Sequence, residues 1–164
     1  MASDQDPVAL AKETIDSNRY MTLGTTDEAG HPWVSPVFYA ASGYAEFYWM
    51  SSPEVAHSQN LARRPQVSIV IFDSQVMPGN ARPVYMSAVA EMLSGADVDR
   101  GLDVYPGPAE RGGRPVNADE LQPPAVYRLY RATVSQHSVL CPRSKGLPCM
   151  LHGRAFDHRT QVTF

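Results

Sequence analysis

The sequence predicts a mainly β fold, a six-stranded antiparallel β-barrel with short α-helices. Three observations lead there. Six stretches between Arg19 and Leu140 carry strand patterns, some with period-two alternation and one, Val67 to Phe72, almost wholly apolar. Most of these stretches are joined by tight turns marked by Asp, Asn, Gly and Pro, whereas a parallel sheet needs a helix after each strand. Barrel closure would also remove most exposed strand edges.

Taken in order, Asp6-Pro7 followed by Val8, Ala11 and Ile15 predicts a capped helix with a narrow apolar stripe, covering one end of the strands after it. Tyr20 to Thr26 and His31 to Ala40 form a hairpin across Asp27-Glu28-Ala29-Gly30, a type I turn with Asp first and Gly last. Pro32 and Pro36 cannot donate to a ladder and so belong at an edge, a bulge or a strand start, which leaves the second arm with an unpaired side. After Ser42-Gly43, Tyr44 to Met50 returns as an aromatic strand. Pro53 to Arg64 reads as a helix capped by Ser52 and ended by Pro65. Val67 to Phe72 is apolar enough for a strand buried on both faces, and Val84 to Leu93 reads as the next, although its Met and Ala content also suits a helix. Gly95 to Tyr105 is helical in spacing, and the Pro- and Gly-rich 106–115 stretch is expected to be mobile. Asn117 to Glu120 has capping-box spacing for one turn, and Ala125 to Leu140 is the last strand.

With 164 residues the chain is expected to form one barrel domain over 1–140, including the N-terminal helix, and a C-terminal tail over 141–164. Its net charge of −3, with basic residues scattered, argues against nucleic-acid and anionic-membrane partners. Met1 to Asp6 shows no basic region leading into an apolar run, so a cytoplasmic protein is expected. Cys141 and Cys149 read as reduced thiols, and their spacing suggests neither a disulfide framework nor a zinc site. His31, His57, His137, His152 and His158 are dispersed, so no metal site is expected.

No nucleophile–base motif, phosphate loop or dinucleotide fingerprint is present, so no catalytic residue can be assigned. The chemistry gathers instead where the strand ending at Ser51-Ser52 hands over to a helix, which turns backbone N–H groups and hydroxyls toward one point and suits an anion. At about 100° per residue, His57, Asn60 and Arg64 share one helix face, with Val55 and Ala62 opposite as the core stripe. Beside an anion the His57 imidazole would have a raised pKa. Aromatics crowd the preceding hairpin and strand, and alternation must turn some of them outward, toward a planar ligand or a second copy.

With these residues in place, the region from Arg19 to Leu140 resembles the pyridoxamine 5′-phosphate oxidase-like, flavin-binding split-barrel superfamily. The likeness rests on Asp27, Gly30 and Pro32 in the hairpin, Ser35-Pro36-Val37, the strand ending in Ser51-Ser52, Asn60-Leu61, and Arg64-Pro65-Gln66-Val67. It implies a homodimer with FMN, or a deazaflavin coenzyme, in a cleft between subunits. Ser35, Pro36 and Val37 would lie along the isoalloxazine, with Trp49, Met50 and Ser51 flanking it and Ser52, His57 and Asn60 at the phosphate. The implied activity is flavin-dependent oxidation or reduction of a small planar substrate; a deazaflavin-dependent reductase and a non-enzymatic flavin or heme binder are the alternatives. Where many family members carry an Arg-Lys pair in the helix, this chain has Ala56-His57. The C-terminal 141–164 segment has no clear counterpart to the substrate-reading end of the oxidases.

Overall fold

The computed structural model describes residues 6–143 and 146–164. The N-terminal stretch read for a leader therefore lies, up to Gln5, outside the described residues. Helix α1 (Pro7–Ser17) begins as expected: Asp6 caps it by accepting from the Val8 N–H at 3.0 Å, and Pro7 occupies its first turn. Leu10, Ala11 and Ile15 turn inward, and α1 packs across the last strands of the sheet.

The strands are β1 (Tyr20–Thr26), β2 (Pro32–Phe38), β3 (Ala40–Ser42), β4 (Glu46–Ser51), β5 (Gln66–Ile71), β6 (Val84–Met92), β7 (Arg128–Leu140) and β8 (Arg159–Val162). All pair antiparallel in the order β2-β1-β5-β6-β7-β4-β3, with β8 adding to β7. The two ends of that order, β2 and β3, are joined in the chain through Tyr39 alone, so the sheet must curl until its ends meet. The result is the antiparallel barrel expected from sequence, with two refinements. The arm read as one strand breaks at Tyr39, whose N–H turns to the Arg19 carbonyl, and the tail contributes a strand the sequence does not announce. Asp27 fixes the β1–β2 hairpin, its carboxylate accepting from the His31 N–H at 2.8 Å, with Gly30 at φ 92° closing the turn.

Two apolar clusters hold the fold. The barrel interior contains Met21, Leu23, Phe47, Trp49, Ile69, Ile71 and Tyr130, with Trp49 stacked on Tyr130 at 5.5 Å. A second cluster outside β4 and β7 joins Tyr48, Leu93, Tyr105, Leu121 and Leu129 beneath α3 (Ala96–Leu102). The reading of 67–72 as buried on both faces is corrected: Val67, Ile69 and Ile71 are buried while Gln66 and Ser68 are exposed, so β5 covers the interior with one face only. The 106–115 segment is likewise fastened. Arg111 donates to the carbonyls of Asn18 and Tyr39 at 2.9 Å each, and its guanidinium lies over the Tyr39 ring at 4.9 Å.

Candidate functional site

The site lies where β2 and β4, which do not pair with each other, diverge at one end of the barrel. Strand β4 ends at Ser51. The Ser52 hydroxyl then accepts from the Glu54 N–H at 3.2 Å, making a tight turn that delays the helix. Helix α2 (Ala56–Arg63) consequently starts three residues later than the sequence reading, with Val55 at its cap position and no side chain capping it. Ser52 is thus the turn former and not the cap.

His57, in the first turn of α2, fills the gap between the two strands. Its Nε2 lies 2.8 Å from the Ser51 hydroxyl and its Nδ1 lies 3.1 Å from the Ser35 hydroxyl, which also accepts from the Trp33 indole N–H at 3.1 Å. One imidazole therefore ties β2 to β4. It is 8 % exposed, and burial lowers its pKa below the ordinary histidine value. The expected raised value is not found in the chain by itself: the groups facing the ring are neutral hydroxyls, and desolvation disfavours the cation.

The helical face is corrected too. His57, Ser58 and Leu61 face inward, whereas Val55 and Ala62, read as the core stripe, are exposed. A histidine with hydrogen-bond partners on both nitrogens can be buried where spacing alone suggests a wet face. Arg64 has left the helix and donates to the Glu28 carbonyl at 2.9 Å, while Arg63 pairs with the Glu28 carboxylate at 2.7 Å. Asn60 turns to β1, donating to the Thr25 hydroxyl at 3.0 Å. The junction is polar but nearly neutral.

The residues expected around a ligand divide into three groups. Ser35, Ser51 and His57 converge, with Ser52 and Asn60 beside them. Pro36 is exposed on the outer edge of β2, and Val37 is buried in the barrel. The Trp49 ring is fully enclosed, so only its backbone can border a ligand, while Met50 leans on the opposite face beside Tyr48 and Leu129. Trp33, half exposed next to Ser35, is the aromatic that does face out. Sequence alternation along β2 could have marked it. A cavity of about 690 Å³ lies elsewhere, walled by Ile15, Arg19, Tyr39, Asp103 and Arg111.

A second constellation is one the sequence reading passes over. Cys141, Cys149, His152 and His158, scattered over the tail, bring four donor atoms within 4.8 Å of one another. The spacing looked uninformative because the pairing of β8 with β7, and not local sequence, returns His158 to Cys141.

Comparison with known proteins fits this architecture. Residues 9–137 match the family described as pyridoxamine 5′-phosphate oxidase. The chain belongs to that family. No curated protein matches it. Among solved structures, this pyridoxamine 5′-phosphate oxidase family member is similar to a heme binding protein from Mycobacterium smegmatis, with TM-score 0.66 and 19 % identity, covering 96 % of this chain and 58 % of that one. The family member thus spans little more than half of that relative. It is also similar to a heme storage protein from Vibrio cholerae, with TM-score 0.62, 23 % identity, and 76 % and 87 % of the two chains covered. An FAD-binding protein from Mesorhizobium loti gives TM-score 0.58 and 19 % identity over 78 % of this chain and 87 % of that one. At these identities the shared property is the split-barrel fold. Among the described residues, no helix is long and apolar enough to cross a membrane.

Proposed function

We propose that this chain binds a flavin, FMN by preference, along the β2–α2–β4 junction in a homodimer cleft, and uses it for oxidation or reduction of a small planar substrate. The observation that carries the reading is the bare N-terminus of α2 beside Ser52. Its first N–H groups have no side-chain cap, so they are available to an anion at the point where the hydroxyls of Ser51 and Ser52 lie. The residues fit the group in two parts. Ser35, Ser51 and the Trp33 edge are neutral hydrogen-bonding and apolar surfaces suited to the ring system and its polyol, and the α2 terminus is suited to the phosphate.

When bound, the flavin would supply hydride transfer, so no acid–base pair is required of the protein. The chain's own residues would orient and desolvate it. His57 would hold Ser35 and Ser51 at fixed separation, and a phosphate nearby would draw a proton onto the imidazole that burial otherwise keeps off. The exposed Trp33 and Val34 on the edge strand β2 supply apolar area for a second copy. The test is titration of the purified chain with FMN, FAD and a deazaflavin coenzyme, followed by absorbance and thermal shift. Binding of one of them with a substantial rise in melting temperature is expected, and a chain that binds none refutes the reading.

One observation favours a heme-binding reading. His31 holds its Nδ1 3.1 Å from the Asp27 carboxylate, its side chain is 79 % exposed, and its Nε2 has no partner among the described residues. A carboxylate-oriented imidazole with a free outward nitrogen is a suitable axial ligand, and two of the similar structures are named for heme. Titration with hemin separates the readings: a Soret shift lost in His31→Ala supports heme, and an unchanged spectrum removes it.

A further inference from the structure

We propose that Cys141, Cys149, His152 and His158 form a closed structural zinc site that staples the C-terminal segment to the end of the barrel. The distances are those of a coordination shell. With Zn–S near 2.3 Å and Zn–N near 2.05 Å, a tetrahedron has edges of about 3.5 Å between S and N and about 3.3 Å between N and N. Here His152 Nδ1 is 3.5 Å from Cys141 Sγ and 3.8 Å from Cys149 Sγ, His158 Nε2 is 3.4 Å from Cys149 Sγ, and the two nitrogens are 3.2 Å apart. Two thiolates would balance a divalent charge, and two sulfurs with two imidazoles in a tetrahedron select zinc over magnesium or calcium. All four positions are filled by the protein, which is the pattern of a structural and not a catalytic site.

The surroundings orient these donors. His158 donates its Nδ1–H to the Phe156 carbonyl at 2.9 Å, which leaves the Nε2 lone pair for a metal. The His152 backbone N–H lies 3.3 Å from Cys149 Sγ, a donor suited to a thiolate. Cys141 directly follows β7 and His158 directly precedes β8, and the Cys141 N–H donates to the His158 carbonyl at 2.8 Å, so the sheet presents two ligands. The other two sit on a turn closed by Cys149 N–H to the Arg154 carbonyl and Gly153 N–H to the Cys149 carbonyl, both 2.9 Å, with Gly153 at φ 64°.

Among the described residues, the Arg143–Asp157 ion pair at 2.7 Å is what else fastens the segment, and apolar packing adds little. Leu147, Met150, Leu151 and Phe156 are all exposed, and from 146 to 157 only Cys149 is buried. Apolar burial cannot offset the entropy of ordering such a stretch, whereas a metal can.

The experiment takes the full chain, purified without a histidine tag and under reducing conditions, and measures zinc by mass spectrometry after equilibration with zinc-buffered solution. Cobalt is then substituted as an optical probe. One zinc per chain is expected, and the cobalt form should show the intense visible bands of tetrahedral coordination with a sulfur-to-cobalt charge-transfer band in the near ultraviolet. Cys149→Ser and His158→Ala should lose both, while flavin binding and the near-ultraviolet circular dichroism of the barrel persist. Zinc at background, an octahedral cobalt spectrum, or a Cys141–Cys149 disulfide in the reduced preparation overturns the proposal. The zinc and cobalt measurements on the unaltered chain decide the matter even if both variants fail to fold.

Discussion

Replacing His57 by alanine tests the junction as a piece of structure, independently of any ligand. The imidazole makes hydrogen bonds at 2.8 Å and 3.1 Å to hydroxyls on two strands that share no ladder. Each such bond contributes about 0.5–1.5 kcal/mol net, and truncating a buried ring leaves a cavity, so His57→Ala should cost about 2–3 kcal/mol. The pH dependence identifies the mechanism. Burial lowers the His57 pKa in the folded chain, so below the ordinary value near 6.5 the unfolded chain takes up a proton that the folded chain refuses. The stability it contributes is therefore present above that pH and falls as the solution is acidified toward the folded-state pKa, with a slope of at most about 1.4 kcal/mol per pH unit per proton. His137 is lowered as well, by burial that outweighs its bond to the Tyr44 carbonyl, and adds a loss of the same sign. Denaturant unfolding at about pH 7.5 and about pH 5 should show the wild type losing more stability on acidification than His57→Ala, the remaining loss belonging to His137 and the carboxylates. Equal acid losses in the two proteins would refute the assignment of His57 as a buried neutral bridge.

Three further outcomes are expected. The chain has two tryptophans; Trp33→Phe should abolish most quenching of protein fluorescence by bound flavin at little cost in stability, whereas Trp49→Ala should cost about 3–5 kcal/mol in urea unfolding. Gly101→Ala, although it favours a helix by propensity, should destabilise by about 1–3 kcal/mol, because the new methyl would lie 2.6 Å from Leu129 and 3.0 Å from Leu93, as thermal melting can check. Arg111→Met removes two part-buried contacts to the Asn18 and Tyr39 carbonyls and should raise hydrogen exchange in the 106–115 segment, a prediction that unchanged protection there would defeat.

Period-two alternation, the Asp27–Gly30 turn and the Asp6-Pro7 helix start are local, so the antiparallel architecture and the order of its elements were legible from residue order alone. The sequence also singled out the Ser51–Asn60 junction as the candidate site, because a strand meeting a helix exposes polar backbone wherever it occurs. Which way each side chain points there was not local information. Helical spacing put Val55 and Ala62 inward, yet the two serines on β2 and β4 draw His57 in, since paired nitrogens make burial inexpensive. Trp49 and Met50 are adjacent in sequence and separated by the sheet, one sealed in the barrel and the other under α3. The convergence of Cys141, Cys149, His152 and His158 was least legible of all. It depends on β8 returning antiparallel along β7, and strand pairing between residues so far apart leaves no periodic trace in the sequence of either partner.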